Sequence, residues 1–322
     1  RDPGENPQIY KTFTSEASSF AIGEEGTQIA LSVRGDIFAE RLLEDAKTQR
    51  LTASSTRDDD VAFSPDEKTL YFVSDREGSQ NIYAMTSDDP KEPRLAYALK
   101  TKTTALTEED HDDHSFLLSP DGEKILYVVG TGELWVMGKD GANKRRLVDG
   151  WNVKTFSWSP AGKFIAFSRE DNDFNEDIFI LPVEGDGTPF NLTRHPAYDS
   201  RPRWSPDGKY LAFISNRYGY KYDVFYVWLT KEEDIKTEEQ RLDEEEAAKS
   251  KPAKEDDEKG TDKKKKDKDK DKEKKDEKPA VTVKIDKDDI WKRVRRLTET
   301  PGEETDIAIS SDSKKIDRKS VV

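Results

Sequence analysis

The chain has no cysteine among its 322 residues, so neither a disulfide frame nor a thiolate metal site can exist, and the redox compartment stays open. Histidine is nearly as scarce, with three in all, which leaves few candidates for a general base or a nitrogen ligand to a metal. No apolar run approaches the roughly 20 residues that a membrane helix needs, so membrane insertion is not expected. The chain opens on Arg1 instead of methionine and shows no apolar core of a secretory signal. Its natural N-terminus is therefore expected to lie elsewhere, and the compartment, cytoplasmic or periplasmic in a bacterium, cannot be read from this end.

Charge is abundant instead. Charged residues make up 38% of the chain and the formal net charge is -14, a balance that disfavours nucleic acid and anionic lipid as general partners because both are polyanionic. So high a charged fraction also predicts that part of the chain carries no packed core.

The organising unit is the stretch Trp204-Ser205-Pro206-Asp207-Gly208-Lys209-Tyr210-Leu211-Ala212-Phe213. An aromatic ends one strand, Pro206 presets φ for a tight turn, Asp207 can bond its own backbone, and Gly208 accepts positive φ before a second β-favouring run. The same phrase recurs at Phe63-Ser64-Pro65-Asp66, Leu118-Ser119-Pro120-Asp121-Gly122 and Trp158-Ser159-Pro160-Ala161-Gly162. Degenerate copies begin at Phe20-Ala21-Ile22-Gly23 and Ile309-Ser310-Ser311-Asp312. Closing triplets, Arg50-Leu51-Thr52, Ala105-Leu106-Thr107, Arg146-Leu147-Val148, Asn191-Leu192-Thr193 and Arg296-Leu297-Thr298, return at one phase and complete four strands per unit.

A four-stranded unit of this size cannot bury both of its faces alone, so successive units must pack face to face. The expected fold is all-β, a β-propeller of four-stranded blades left incomplete at the C-terminus. Residues 1–14 read as a connector and 15–230 as blades. Residues 231–280 read as a disordered insertion rich in Lys, Glu and Asp, whose stretch from Lys254 to Lys278 holds 12 lysines and 11 acidic residues. Within it, Glu232 to Lys249 has the composition of a transient helix but lacks an apolar face. Residues 281–316 resume the interrupted blade, with Val281-Thr282-Val283-Lys284-Ile285 alternating like a strand, and begin the next. The closing Asp317-Arg318-Lys319-Ser320-Val321-Val322 matches the in-frame translation of a sequencing adapter and reads as a non-native tail, so the ring is expected to stand open.

These phrases resemble the Trp-Asp-40-like propeller repeat of TolB and of tricorn-type proteases. The order of Tyr220-Lys221-Tyr222-Asp223-Val224-Phe225-Tyr226-Val227-Trp228-Leu229-Thr230, a charged insertion and then Ile290-Trp291-Lys292-Arg293-Val294-Arg295-Arg296-Leu297-Thr298 resembles bacterial tricorn protease homologues. That resemblance implies a propeller that admits or scaffolds peptide or unfolded polypeptide substrate, with PDZ-like and serine-peptidase domains downstream in the same parent chain and a homo-oligomer as a compatible assembly. The alternatives it leaves are a non-enzymatic, protein-binding propeller of the cell envelope like TolB, and the propeller of a prolyl-oligopeptidase-type peptidase.

No catalytic, cofactor-binding or metal-binding residue is assigned, and no cofactor is expected. His111-Asp112-Asp113-His114 offers nitrogen and oxygen ligands, but Arg57-Asp58-Asp59-Asp60 and Tyr198-Asp199-Ser200-Arg201 occupy the same phase, so polar ends are routine there. His195, in the loop Thr193-Arg194-His195-Pro196, reads as solvent-exposed, and no Gly-x-Ser-x-Gly elbow accompanies the histidines. Asp121-Gly122 and Asp207-Gly208 read as hairpin turns and not calcium loops. Asp75-Arg76 and Asn216-Arg217 are expected to link blades by hydrogen bonds, the alternative being that they point into the central channel, and Trp135, Trp158 and Trp204 to pack between blades. Tyr218, Tyr220 and Tyr222 are the candidates for exposed contact.

Overall fold

The computed structural model describes residues 15–43, 47–108, 112–150, 152–185, 187–249, 281–299 and 303–321. Five four-stranded antiparallel sheets follow one another along the chain, and a two-stranded sheet comes after them. Blade 1 holds β1 (Ala17–Ile22), β2 (Gln28–Val33), β3 (Asp36–Arg41) and β4 (Gln49–Arg50). Blade 2 holds β5 (Asp58–Phe63), β6 (Thr69–Ser74), β7 (Asn81–Ser87) and β8 (Thr101–Ala105). Blade 3 holds β9 (Asp113–Leu118), β10 (Lys124–Val129), β11 (Glu133–Gly138) and β12 (Arg145–Val148). Blade 4 holds β13 (Val153–Trp158), β14 (Phe164–Glu170), β15 (Glu176–Pro182) and β16 (Phe190–Asn191). Blade 5 holds β17 (Asp199–Trp204), β18 (Tyr210–Ser215), β19 (Asp223–Trp228) and β20 (Arg295–Arg296), and β21 (Glu303–Ile309) with β22 (Ile316–Val321) forms the last sheet.

The hydrophobic cores lie between consecutive blades, as the packing argument requires. Leu70, Phe72, Tyr83 and Met85 of blade 2 meet Ala30 and Ile37 of blade 1. Trp158, Ile165 and Phe167 of blade 4 meet Leu126, Leu134 and Val136 of blade 3, and Trp204, Phe213 and Phe225 of blade 5 meet Ala166, Ile178 and Ile180 of blade 4. Trp135 packs more peripherally against the core of blades 2 and 3. The second strands of blades 2 to 5 are sandwiched on both faces and buried along most of their length, and all of β18 is buried. Burying one such large apolar side chain contributes about 1.5–3 kcal/mol, which is why the second strands read as continuous apolar runs. On the face of blade 1 turned away from blade 2, Phe20 and Ile22 are exposed.

The Ser-Pro-Asp-Gly hairpins repeat one hydrogen-bond scheme. Ser64, Ser205 and Ser310 each donate Oγ–H to the Asp two residues on, at 2.6 Å, while the same Oγ accepts the amide that starts the second strand. Neighbouring turns also touch: a Cβ on Gly122 would stand 2.5 Å from Cδ of Pro65 in the preceding blade, so that turn tolerates only glycine. In blade 2 the glycine is replaced by Glu67 at φ 55°, and its buried carboxylate reaches into the first turn of blade 1, accepting from the Glu25 amide and from Thr27 Oγ1, each at 2.6 Å.

Two departures from the sequence reading lie in the interrupted blade. The first part of the insertion is helical and not disordered, with α1 (Lys231–Ile235) and α2 (Glu238–Lys249). Thr230 caps α1, and Thr237 and Gln240 cap α2 reciprocally. Arg241 lies 3.8 Å over the Trp228 ring and pairs with Glu233, which also holds Lys236. Ion pairs and an aromatic face replace the missing apolar stripe. Second, Val281 to Ile285 makes no ladder. It runs extended with Val283 and Ile285 packed on the core of blade 5, while the Asp286 amide donates to Leu229 O and Asp286 Oδ2 accepts from Lys231 N. These bonds join the two ends of the insertion. The tract from Lys254 to Lys278 falls outside the described residues.

The C-terminal hexapeptide, read above as a non-native tail, supplies most of β22, which pairs with β21 from Glu303↔Val321 to Ile309↔Ile316.

Candidate functional site

The first strand of every unit breaks its register with the second, through a β-bulge near Ser18, Asp60, Ser115, Lys154, Arg201 and Thr305. A bulge puts an unpaired residue into a ladder and re-aims its side chain. Asp60, Ser115 and Arg201 adopt the left-handed region with φ 52°, 52° and 54°, a conformation of uncommon cost for residues with a side chain. Side chains of the first strands bond across blades: Ser18 Oγ and Ser19 Oγ donate to Asp59 Oδ1 at 2.7 and 2.8 Å, and the Arg201 amide donates to Thr155 Oγ1 at 3.0 Å. The first strands therefore line the common axis, and the bulges bring polar side chains to it at one end.

The lining carries charge of both signs. Asp59 and Asp60 stand on blade 2 with Arg57 beside them, while Lys154, Arg201 and Arg203 stand on blades 4 and 5, the two arginines 3.9 and 3.6 Å from Asp306 of the last sheet. Between blades 1, 2 and 3 the end face opens into a cleft of about 340 Å³, walled by Ser18, Ser19, Arg57, Asp59, Asp60 and Ser115 among others. Burial works to raise the Asp59 carboxyl, but donation from Ser18, Ser19, the Asp60 amide and Arg57 outweighs it and holds the group below the usual carboxylate range. On blade 4 Lys154 is held ionised by Glu170 and sits 3.9 Å from Glu176.

The loops between second and third strands rise around this same end and carry exposed aromatics. Tyr220 is 101% exposed, and Tyr218 on the same loop of blade 5 and Phe174 on the corresponding loop of blade 4 are exposed too. Tyr218 stacks on Phe225 at 5.9 Å and lies under Arg296, so its ring is braced although the residue is largely exposed. Tyr222, expected to be exposed, is partly buried against the core between β18 and β21.

Several site expectations change. Arg76 and Arg217 bond within their own blades and do not link neighbours. Arg76 Nη2 meets buried Asp58 at 2.9 Å, and Arg217 grips Asp199 through Nη2 at 2.6 Å and Nε at 3.2 Å. The companion Asp75 and Asn216 likewise accept the amides of Arg57 and Tyr198 inside the blade. The spacing of 18 residues is identical in both pairs and was the available signal. His195 is partly buried and not solvent-exposed. Its amide donates to Asp177 Oδ1 at 3.1 Å, and burial, with Arg217 nearby, pushes its imidazole below the usual histidine value. His111 lies outside the described residues. Asp112 accepts from the Gln80 amide, Asp113 is buried at the start of β9, and His114 belongs to that strand. Among the described residues no group of three or more His, Asp or Glu stands together as a metal site. None of their helices is long and apolar enough to cross a membrane.

Sheets of four strands, cores between sheets and first strands about an axis define a β-propeller arrangement. Residues 13–170 match the family model of the TolB beta propeller domain. Among solved structures, the chain is similar to the crystal structure of the tricorn protease, with a TM-score of 0.59 and 14% identity over 93% of this chain and 28% of that one. It is also similar to a putative TolB from Agrobacterium tumefaciens, TM-score 0.49 with 20% identity over 67% of this chain and 78% of that one. A third similar structure is TolB from Acinetobacter baumannii, TM-score 0.47 with 20% identity over 64% of this chain and 51% of that one. The chain thus spans little more than a quarter of the tricorn polypeptide. No curated protein matches it.

Proposed function

We propose that this chain is the substrate-admitting propeller of a tricorn-like serine peptidase, holding extended polypeptide at the bulged end of its axis while bond cleavage is carried out by PDZ-like and peptidase domains elsewhere in the parent chain. The observation that carries this reading is the end face itself. Exposed Tyr218, Tyr220 and Phe174 offer apolar contact beside a polar axis that carries charge of both signs, the mixture that suits an unfolded chain of varied sequence. The similarity to the tricorn fold along nearly the whole described length supports it. The family-model match over residues 13–170 favours a second reading, a non-enzymatic propeller of TolB type that binds a protein partner.

The test is binding without cleavage. Incubated with fluorescein-labelled unstructured peptides, the chain should raise their anisotropy and leave them intact by mass spectrometry. Reproducible cleavage that disappears on mutating His111 or His195 would overturn the absence of catalysis here. Failure to bind any unstructured peptide would overturn the substrate reading. A downstream reading frame encoding a PDZ-like segment and a serine-peptidase core supports the first reading, and a stop codon after ring closure supports the second.

A further inference from the structure

The cleft between blades 1, 2 and 3 has a chemistry more specific than a general peptide surface. Its volume of about 340 Å³ is at the small end of ligand pockets, about 300–1,000 Å³, and suits one side chain or chain end. Asp59 is preset within it. Oδ1 takes the hydroxyls of Ser18 and Ser19 and the Asp60 amide at 2.7, 2.8 and 2.9 Å, which fixes the plane of the carboxylate. Oδ2 faces Arg57 Nη2 at 3.2 Å, and that guanidinium is 67% exposed, a loosely held cover and not a buried partner. Asp60 adds a second carboxylate to the wall, with Oδ2 accepting from the Phe116 amide at 3.4 Å, and Ser115 contributes a hydroxyl from the neighbouring bulge. Two carboxylates against one guanidinium, with both serine hydroxyls committed to Asp59, repel an anion and attract a cation that can share Oδ2 with Arg57 or displace it.

We propose that this cleft receives a cationic group, the ammonium of a lysine or chain N-terminus or the guanidinium of an arginine, from an extended polypeptide lying on the end face, an inference that rests on the polypeptide-binding reading above. The aromatics of blades 4 and 5 then hold the remainder of the peptide across the axis. Recognition is of charge and reach, so it tolerates many sequences.

The experiment is an anisotropy titration of the unaltered chain with a matched series of unstructured peptides: one lysine and a free N-terminus, the lysine replaced by glutamine, and the glutamine peptide N-acetylated. The fully neutral peptide should bind about tenfold more weakly than the cationic one, the usual size of one charge-assisted contact. Asp59→Asn should erase most of that preference, and a circular dichroism spectrum and melting transition matching those of the parent show that the variant is folded. Glu184→Gln, which removes an equal charge far along the chain, should keep the preference.

Neutral peptides binding as tightly as cationic ones would overturn the inference and leave the polypeptide reading standing. Equal losses from Asp59→Asn and Glu184→Gln would overturn it too, because net charge alone would then explain the preference. If no peptide of the series binds, both readings fall. Should Asp59→Asn not fold, the peptide series on the unaltered chain decides.

Discussion

Blades 4 and 5 share a core and a strand plan but secure the end of their innermost strand differently. In blade 5, Asp199 at the start of β17 is fully buried and gripped by Arg217 in two hydrogen bonds, and Arg217 in turn lies over Phe213 and Phe225. Blade 2 does the same with Asp58 and Arg76 over Tyr83. Blade 4 has Val153 and Asp171 at these phases, and there Lys154 reaches Glu170 and Glu176 instead. One blade buries a matched ion pair; the other leaves its bulged lysine at the axis and buries a carboxylate with an incomplete partner set. A repeat can therefore keep its backbone while exchanging the electrostatics at the functional end. Blade 4 shows what is lost when the pair is dropped, and what becomes available to the axis.

The largest expected effect tests the blade 5 pair. Arg217→Met removes the guanidinium and strands a buried Asp199, so unfolding free energy should fall by about 3–5 kcal/mol. Replacing both partners with apolar residues, Asp199→Leu with Arg217→Met, should recover much of that loss, because an uncompensated buried charge costs more than an absent pair. Chemical denaturation of the single and double variants measures both. A single variant within about 0.5 kcal/mol of the parent would break the comparison, since surface substitutions already reach that size.

Most of the architecture was legible because it rests on local chemistry repeated in register. The Ser-Pro-Asp-Gly turns, the apolar second strands and the closing triplets each carry their own signal, and β4, β8, β12, β16 and β20 form at or beside those triplets. What escaped depends on partners distant in sequence. A bulge at Asp60 or Arg201 exists only relative to the strand opposite, and Glu67 gains its role from a turn about forty residues earlier. The arginines of the clasp were visible in the paired phrases Asp75-Arg76 and Asn216-Arg217, but their partners Asp58 and Asp199, in the same blade, required the fold. Helices α1 and α2 lack the apolar stripe that marks a helix in sequence, but Thr230-x-x-Glu233 and Thr237-x-x-Gln240 are helix-start signatures legible in the chain.

A smaller effect tests the turns of the same two blades. Ser205 Oγ donates to Asp207 in blade 5, while in blade 4 Ala161 stands where the Asp would be and Ser159 Oγ only accepts the Phe164 amide. Ala161→Asp should therefore stabilise the chain by about 1 kcal/mol, the net value of one added hydrogen bond. A gain that appears at neutral pH and disappears in acid would match the origin of the effect. The corresponding carboxyls Asp66 and Asp121 are held below their usual value: burial raises them, and bonds from Ser64 and Ser119 and from backbone amides more than reverse this. A depressed folded value gives stability that is present above the unfolded value near 3.8 and lost as pH falls through the folded one. Thermal melts at pH 7 and pH 3 follow both halves of the prediction, and no gain at either pH would show that blade 4 does not lack what its neighbours have.

The smallest effect concerns Glu176, the carboxylate that blade 4 buries at the junction with blade 5. Burial pushes it above the usual value, Glu170 and Asp199 add to the rise, and donation from Ser168 and the charge of Lys154 only partly oppose it. The sign is opposite to that of the turn aspartates. A raised folded value means that the native state favours the protonated form, so this residue contributes most below the unfolded value near 4.5 and loses that contribution as pH rises through the folded one. Glu176→Gln keeps the shape and cannot ionise. It should stabilise the chain at pH 7.5 by about 1 kcal/mol or less, the scale of a modest burial penalty relieved, and the gain should shrink toward pH 4. Urea midpoints at the two pH values decide the matter. If the variant is weaker than the parent at pH 7.5, the attraction of Lys154 outweighs the burial cost. Blade 4 would then hold a functioning ion pair, as blade 5 does, and the contrast between them would reduce to the choice of partner.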